Sequence, residues 1–166
     1  MAQVQKHGRT EVLVDSSVDA VWRVVSDVTR TGEWSHECGE VRWLDGAAAP
    51  APGVRFRGRN HAGWLRWGRT CELLRVAAPS ELAWRTVPSP LYPDSTEWSV
   101  RLQPVGDRTR IVQEFTVVRA PRLLDHLYAA LIPGHRDRTE RLTADLQRLG
   151  AVAGAPSVSQ EGSTRG

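Results

Sequence analysis

The feature that most constrains the fold is a series of six short segments in which hydrophobic residues recur at every second position. Such alternation is typical of half-buried β-strands. The clearest segment places Val54, Phe56 and Gly58 on one face and arginines on the other. Because only a turn or a loop separates consecutive segments, neighbouring strands are expected to run antiparallel, as a meander. The six segments are residues 40–43, 54–60, 67–76, 82–86, 97–102 and 111–117.

Two short helices are predicted before this meander. Arg9–Asp15 alternates loosely and predicts a first strand. Ser16 or Ser17 can then N-cap a helix whose apolar face consists of valines and one tryptophan. A second short helical turn is predicted at 29–34.

A long helix is predicted after the meander, from Pro121 to Leu149, because leucines recur there at helical spacing. Its centre is polar, and Pro133-Gly134 predicts a kink at that point. Gly150 offers a left-handed cap. The fold class is therefore α+β, in which a curved antiparallel sheet of seven strands packs around the long helix. A curled sheet with a helix across it commonly encloses a cavity.

Composition excludes several classes of protein. The 166 residues suffice for about one domain, and 25% charged residues with a formal charge of +3 are ordinary for a globular protein. The arginines occupy alternate strand positions, which indicates a solvated sheet face. No basic run or motif indicates nucleic-acid binding, and no cofactor motif is present. Seven tryptophans are unusual and suit a core or an amphipathic pocket.

Domain bounds and location follow from the same patterns. Residues 1–8 form an N-terminal segment, 9–150 a ligand-binding domain, and 151–166 a small, polar, aperiodic stretch that is expected to be a disordered tail. Without a signal-peptide pattern or a run of about 20 apolar residues, we expect a cytoplasmic protein with no membrane span. Either a monomer or a homodimer fits the sequence.

One strand has an ambiguous inner face, because Leu73 and Leu74 are adjacent hydrophobic residues. We favour the face that places Trp67, Arg69 and Leu73 inward, together with Cys71. A buried arginine needs a partner. Glu97 or Glu114, or a carbonyl or carboxylate group of a ligand, could pair with Arg69 if it faces inward, whereas an outward Arg69 would be solvated.

Two histidines are candidates for acid–base chemistry, because a neutral imidazole exchanges protons near neutral pH. His135 lies on the apolar face of the long helix beside the predicted kink, where a satisfied rim histidine is the alternative. His36 precedes a strand and is either an exposed loop residue or a residue at the cavity mouth. Glu37 and Cys38 follow it, but adjacent strand residues point apart, so no metal site is predicted.

The chain resembles the actinobacterial, polyketide cyclase/dehydrase-like branch of the START/Bet v 1-like superfamily. The residues that carry the resemblance are Glu33-Trp34-Ser35-His36-Glu37-Cys38, Val41-x-Trp43-Leu44-x-Gly46-Ala47, Gly53-x-x-Phe56-x-Gly58-x-Asn60-x-x-Gly63, Arg66-Trp67-x-x-Thr70-Cys71, Trp98 and Thr109-Arg110. The resemblance implies a helix-grip fold, in which a seven-stranded sheet grips the C-terminal helix around an apolar cavity. In aromatase/cyclases of this superfamily such a cavity is thought to hold a poly-β-keto chain during aldol closure and dehydration.

Binding of a small, largely hydrophobic molecule, polyketide-like or lipid-like, is therefore the first functional hypothesis. A cyclase or dehydratase that uses the same cavity is the second, with His135, His36 and Arg69 as catalytic candidates. A protein that binds partners through its sheet surface is the third. The side chains expected to contact the ligand are Trp34, Trp43, Phe56, Asn60, Trp67, Arg69, Trp84, Trp98, Gln113, Tyr128, Leu131 and His135; for the tryptophans, a plain core is the alternative.

Overall fold

The structure is a computed structural model that describes residues 5–121, 127, 130–131 and 138–156. Seven strands form one antiparallel sheet in the order β1-β7-β6-β5-β4-β3-β2, which confirms the predicted α+β fold and the order of its elements. The elements are β1 (His7–Val14), α1 (Val18–Val25), a 3-10 helix (Val28–Glu33), β2 (Cys38–Trp43), β3 (Arg55–Ala62), β4 (Leu65–Ala77), β5 (Glu81–Thr86), β6 (Ser95–Val105), β7 (Arg108–Arg119) and α2 (Thr139–Gly154).

The first helix begins where the sequence predicts a cap. The Ser17 side chain accepts a hydrogen bond from the N–H of Ala20 at 3.2 Å, and Asp19 lies in the first turn, where a negative charge is favourable. The 3-10 helix starts in the same way, since the Asp27 carboxylate accepts from the N–H of Thr29 at 3.1 Å. Both caps stabilise helices that are too short to persist alone.

Two hydrophobic clusters hold the elements together. The first joins α1 and α2 to β1, β6 and β7, and its centre includes Val21, Ile111, Leu146 and Leu149, each fully buried. The second lies under β2 to β5 around Leu73 and also contacts the 3-10 helix. The concave face of the sheet between these clusters is where a cavity can form.

The C-terminal helix continues further than the sequence predicts. It ends at Gly154, so Gly150 is an internal, buried residue of α2 and the predicted cap at Gly150 is wrong. A side chain on Gly150 would lie 2.4 Å from Cγ1 of Val14 on β1. The Gly150 carbonyl also accepts a hydrogen bond from the buried Ser16 hydroxyl at 2.8 Å. This glycine therefore permits close packing of α2 on β1.

The start of the predicted long helix lies largely outside the described residues. Leu127, Ala130 and Leu131 have helical conformation. The predicted kink at Pro133-Gly134 and residues 157–166 of the predicted tail lie outside the described residues. Residues 151–154 of that predicted tail are the end of α2.

Strand β4 resolves the ambiguity of Leu73 and Leu74. The register with β5 shifts between Leu73 and Arg75, which is a β-bulge that inserts Leu74 as an extra residue. Before the bulge the inward residues are those favoured from the sequence. Trp67, Arg69 and Cys71 line the cavity, and Leu73 is 1% exposed. After it, the inward face passes to Val76, which packs on the second cluster.

The outer face of the sheet carries ion pairs between neighbouring strands. Glu72 on β4 accepts from Arg55 at 3.3 Å and from Arg85 at 3.2 Å. Such exposed pairs contribute little stability individually but keep the arginines solvated. In the part of the chain that the structure describes, no helix is long and apolar enough to cross a membrane.

Candidate functional site

A cavity of about 410 Å³ lies between the concave face of the sheet, the 3-10 helix and α2. This volume is within the range of roughly 300–1,000 Å³ that is typical of small-molecule sites. Much of its wall is hydrophobic, with residues from several strands: Val41, Phe56, Leu82, Trp84, Trp98 and Val117. The wall also contains polar and charged side chains, which are concentrated at three places.

Aromatic residues form a continuous row across the sheet. Trp84, Trp98 and Phe115 are register partners on β5, β6 and β7. The rings of Trp84 and Trp98 stack with centroids 6.3 Å apart, and those of Trp98 and Phe115 lie 5.0 Å apart. On β1 the next partner is Gly8, where a Cβ atom would lie 2.4 Å from the Phe115 ring. The bare backbone of Gly8 leaves room for this ring.

The first polar place is Arg138, which immediately precedes α2. Its guanidinium carbon lies 5.7 Å from the ring centroid of Trp98 and 5.4 Å from that of Phe115, which is cation–π geometry. Burial lowers the pKa of Arg138, while the carboxylates of Glu37 and Asp94 oppose that shift. Its Nε atom is buried and has no hydrogen-bond partner among the described residues. The backbone N–H of Arg138 donates to Gln5 Oε1 at 3.0 Å.

The second polar place is Arg69 on β4. Its side chain is 11% exposed and donates to both carboxylate oxygens of Asp94, at 3.0 and 2.8 Å, and to the Asp94 carbonyl at 3.1 Å. Tyr92 lies beneath the guanidinium at 5.3 Å. The predicted partners were wrong: Glu114 faces outward and pairs with Arg101, and Asp94, in the loop before β6, takes the place proposed for Glu97 or Glu114. Alternation within strands gives no information on a partner from a loop.

The third polar place is a pair formed by His36 and Asp145. His36 Nδ1 lies 2.6 Å from Asp145 Oδ2, and the His36 backbone N–H donates to Oδ1 at 3.0 Å. Arg148 also donates to Oδ1, at 2.6 Å. The Asp145 side chain is 3% exposed, whereas that of His36 is 25% exposed. Because a carboxylate can only accept hydrogen bonds, the 2.6 Å contact assigns the ring proton to Nδ1, and Nε2 of a neutral ring is then the acceptor. Nε2 lies 3.9 Å from Glu37 Oε2, which is longer than a hydrogen bond.

The cavity brings together most of the side chains predicted from sequence. The predicted residues that line it are Trp34, His36, Phe56, Asn60, Trp67, Arg69, Trp84, Trp98, Gln113 and Leu131. Trp43 is not among the residues that line the cavity: it packs edge-on against Phe56 at 6.2 Å, beside the second cluster and at the end of edge strand β2, as in the plain-core alternative. Tyr128 and His135 lie outside the described residues.

Among the residues of the three polar places, the sequence analysis missed Asp94, Arg138 and Asp145. A signal existed for Asp145, since it lies between Leu142 and Leu146 on the apolar stripe of α2 and is buried with them. A carboxylate in such a stripe needs a partner from another element.

The two cysteines are neutral thiols rather than nucleophiles. Burial raises the pKa of Cys71 to about 12, and burial followed by the charge of Glu37 raises the pKa of Cys38 to about 11. Only the thiolate attacks or binds metal effectively. Among the described residues, no group of three His, Cys, Asp or Glu side chains is placed to hold a metal ion.

Comparison with known proteins identifies the fold and the family. The family model described as polyketide cyclase/dehydrase and lipid transport matches residues 5–153. Among solved structures, the Zhui aromatase/cyclase from Streptomyces sp. R1128 has a TM-score of 0.67 at 19% identity and covers 89% of this chain and 93% of that one. A protein from Nitrosomonas europaea gives 0.65 at 15% identity, with coverage of 89% and 93%. A protein from Thermus thermophilus gives 0.64 at 17%, with coverage of 89% and 96%. Identities this low indicate a shared fold alone. Among curated protein sequences, none matches.

Proposed function

The chain belongs to the polyketide cyclase/dehydrase and lipid transport family, and from this premise we propose that its cavity binds a small, largely hydrophobic molecule. The observation that carries the proposal is the cavity itself, which remains open between two well-packed clusters. Protein interiors are normally packed without voids of this size. Its tryptophan and aliphatic wall suits a polyketide-like or lipid-like ligand, since apolar contact area gives most of the affinity in such sites.

Binding is tested with Nile red, an uncharged dye that fluoresces in apolar surroundings. We expect one dye molecule per protein and quenching of tryptophan emission. Val117 and Val118 are neighbours on β7: Val117 lines the cavity, and Val118 is 53% exposed. Val117→Phe should therefore fill part of the cavity and weaken binding about 10-fold or more, which corresponds to about 1.4 kcal/mol.

Val118→Phe adds the same group outside the cavity and serves as the matched control. It should bind the dye as the wild type does. Absence of dye binding by the wild type, or binding by Val117→Phe as tight as that of the wild type, would contradict the proposal. Equal losses in both variants would indicate that the folding of β7, rather than the cavity, had been changed.

A second candidate function, a cyclase or dehydratase, is favoured by the pair of His36 and Asp145. In an aldol closure, His36 Nε2 would accept a proton from a carbon that lies between two ligand carbonyls. The resulting enolate carbon would attack a further carbonyl carbon of the same ligand, and the imidazolium would return its proton to the new alkoxide. Asp145 would hold the ring and its tautomer. Loss of the hydroxyl with a neighbouring proton would then release water.

The test measures binding and conversion of a poly-β-ketone by the wild type and by variants. His36→Gln should reduce turnover roughly 10²–10⁴-fold while binding persists. Asp145→Asn should reduce turnover with little change in affinity, and His7→Gln, an exposed histidine on β1, is the control. His135→Gln is measured in parallel because His135 remains a catalytic candidate. A wild type that binds but never converts the ligand would support binding alone.

A further inference from the structure

We propose that the ligand is an organic anion, an apolar molecule with one carboxylate or phenolate group, and that Arg138 binds this group inside the cavity. The inference rests on the proposed binding function and names the chemical class that the cavity selects. It arises from Arg138, a residue that neither the sequence analysis nor the family match assigns to a site.

The charge of Arg138 lies inside the cavity, against aromatic rings. The Arg138 guanidinium lies over the row of Trp98 and Phe115 and contributes to the cavity wall. An arginine remains charged in a protein, so burial there has a cost that a partner must offset. The two aromatic faces offset a part of it, because a cation over a ring is attracted to the ring's electron density.

The carboxylates near Arg138 already have other partners. Asp94 is held by Arg69 through both of its oxygens, and Asp145 by His36 and Arg148. Glu37 also has a partner. Arg138 itself forms no ion pair with a described carboxylate, and its Nε is without a partner among the described residues. The anionic group of a ligand would form the ion pair with Arg138 that these carboxylates do not form.

The described residues of the cavity wall include more cations than carboxylates. Among its described residues, four are cationic and three are carboxylates: Lys6, Arg66, Arg69 and Arg138 against Glu37, Asp94 and Asp145. Lys6 has a partner of its own, so we expect the anion at Arg138 rather than at this lysine. A guanidinium also presents several N–H donors in one plane, which match the two oxygens of a carboxylate.

Two further buried polar groups in the same wall lack hydrogen-bond partners among the described residues. Trp34 is 6% exposed and Gln113 is 4% exposed. Trp34 Nε1, a donor, and Gln113 Oε1, an acceptor, lack hydrogen-bond partners among the described residues. Buried polar groups in folded proteins are nearly always satisfied, so unpaired ones in a cavity wall indicate a polar atom supplied by a ligand. They support a ligand that carries oxygen rather than a pure hydrocarbon.

The experiment compares dodecanoate with 1-dodecanol, two probes with the same chain and different head groups, by displacement of Nile red at neutral pH. The wild type should bind dodecanoate about 10-fold or more tightly than dodecanol, since hydrogen bonds to charged groups exceed neutral ones. Arg138→Met removes the charge and keeps an apolar side chain of similar length. It should abolish the preference while dodecanol and Nile red still bind.

Two further variants serve as controls. Arg141→Met removes an exposed arginine of α2 and should leave the preference intact. Arg138→Lys retains the charge and should keep part of the preference, which matters if Arg138→Met fails to fold. Equal binding of the two probes by the wild type, or a preference that survives Arg138→Met, would overturn the inference while leaving the proposed cavity in place. Failure of the wild type to bind Nile red would reject the proposed function itself, and the inference with it.

Discussion

Two glycines determine how closely neighbouring elements approach one another in this fold. A Cβ atom on Gly8 would lie 2.4 Å from a carbon of the Phe115 ring, and one on Gly150 would lie 2.4 Å from Cγ1 of Val14. Both distances are far shorter than a normal carbon–carbon contact. Gly8 thus gives space to the aromatic row, and Gly150 gives space for the helix that closes the first cluster.

The effect of Gly150 can be measured as a free energy of unfolding. Gly150→Ala should gain about 1 kcal/mol of helix propensity but lose about 1–3 kcal/mol through overpacking against Val14. We expect net destabilisation of about 1 kcal/mol in urea unfolding, with an unchanged dependence on denaturant. Val14→Ala removes the two methyl groups, at 2.4 and 3.1 Å, but keeps Cβ at 2.5 Å, so it relieves part of the overpacking. The double variant should therefore be more stable than the sum of the two single effects predicts. An unchanged or raised stability of Gly150→Ala alone would show that the helix shifts at little cost.

At the scale of elements, the period of the hydrophobic residues and the position of capping residues predict most of the strands and helices. The strands of the meander follow from alternation, and the two short helices follow from caps and valine spacing. The bulge in β4 is the informative exception. Leu73 and Leu74 cannot both face inward in a regular strand, and the extra residue resolves the conflict by changing the inward face.

Other features depend on contacts between elements, which a local pattern does not contain. The helix continues past Gly150 because packing on β1 favours a residue without a side chain there, and this outweighs the low helix propensity of glycine. Trp43 follows the alternation, but its edge-strand position places it against Phe56. The partners of Arg69 and His36, Asp94 and Asp145, are 25 and 109 residues away in sequence. A single sequence predicts that such partners must exist, not which residues they are.

At the scale of the whole molecule, the clusters and the cavity share a boundary, since Trp34, Phe56 and Leu82 belong to a cluster and also line the cavity. The two clusters are apolar and well buried, whereas the cavity between them contains buried polar atoms without partners among the described residues. Such local departures from good packing are expected where a protein binds or reacts.

The whole chain is also unusual in its alkaline titration, because Lys6 is its only lysine and nearly all other cations are arginines that stay charged. The thiols therefore dominate between the pKa of an exposed cysteine, about 8.5, and the raised values in the fold. Burial, opposed by Arg69 and reinforced by Cys38, raises the pKa of Cys71 to about 12. In that interval the unfolded chain loses the proton and the folded chain keeps it, so the stability contributed below about pH 8.5 is lost as the pH rises.

We therefore expect the free energy of unfolding to fall between about pH 8.5 and about pH 12, by up to about 1.4 kcal/mol per pH unit from Cys71. Urea unfolding at a series of pH values gives this slope. Cys71→Ala should lower the stability at neutral pH, because it leaves a small void, but should make the slope shallower. A slope that is the same in the wild type and in Cys71→Ala would show that the Cys71 thiol ionises as readily in the folded chain as in the unfolded one.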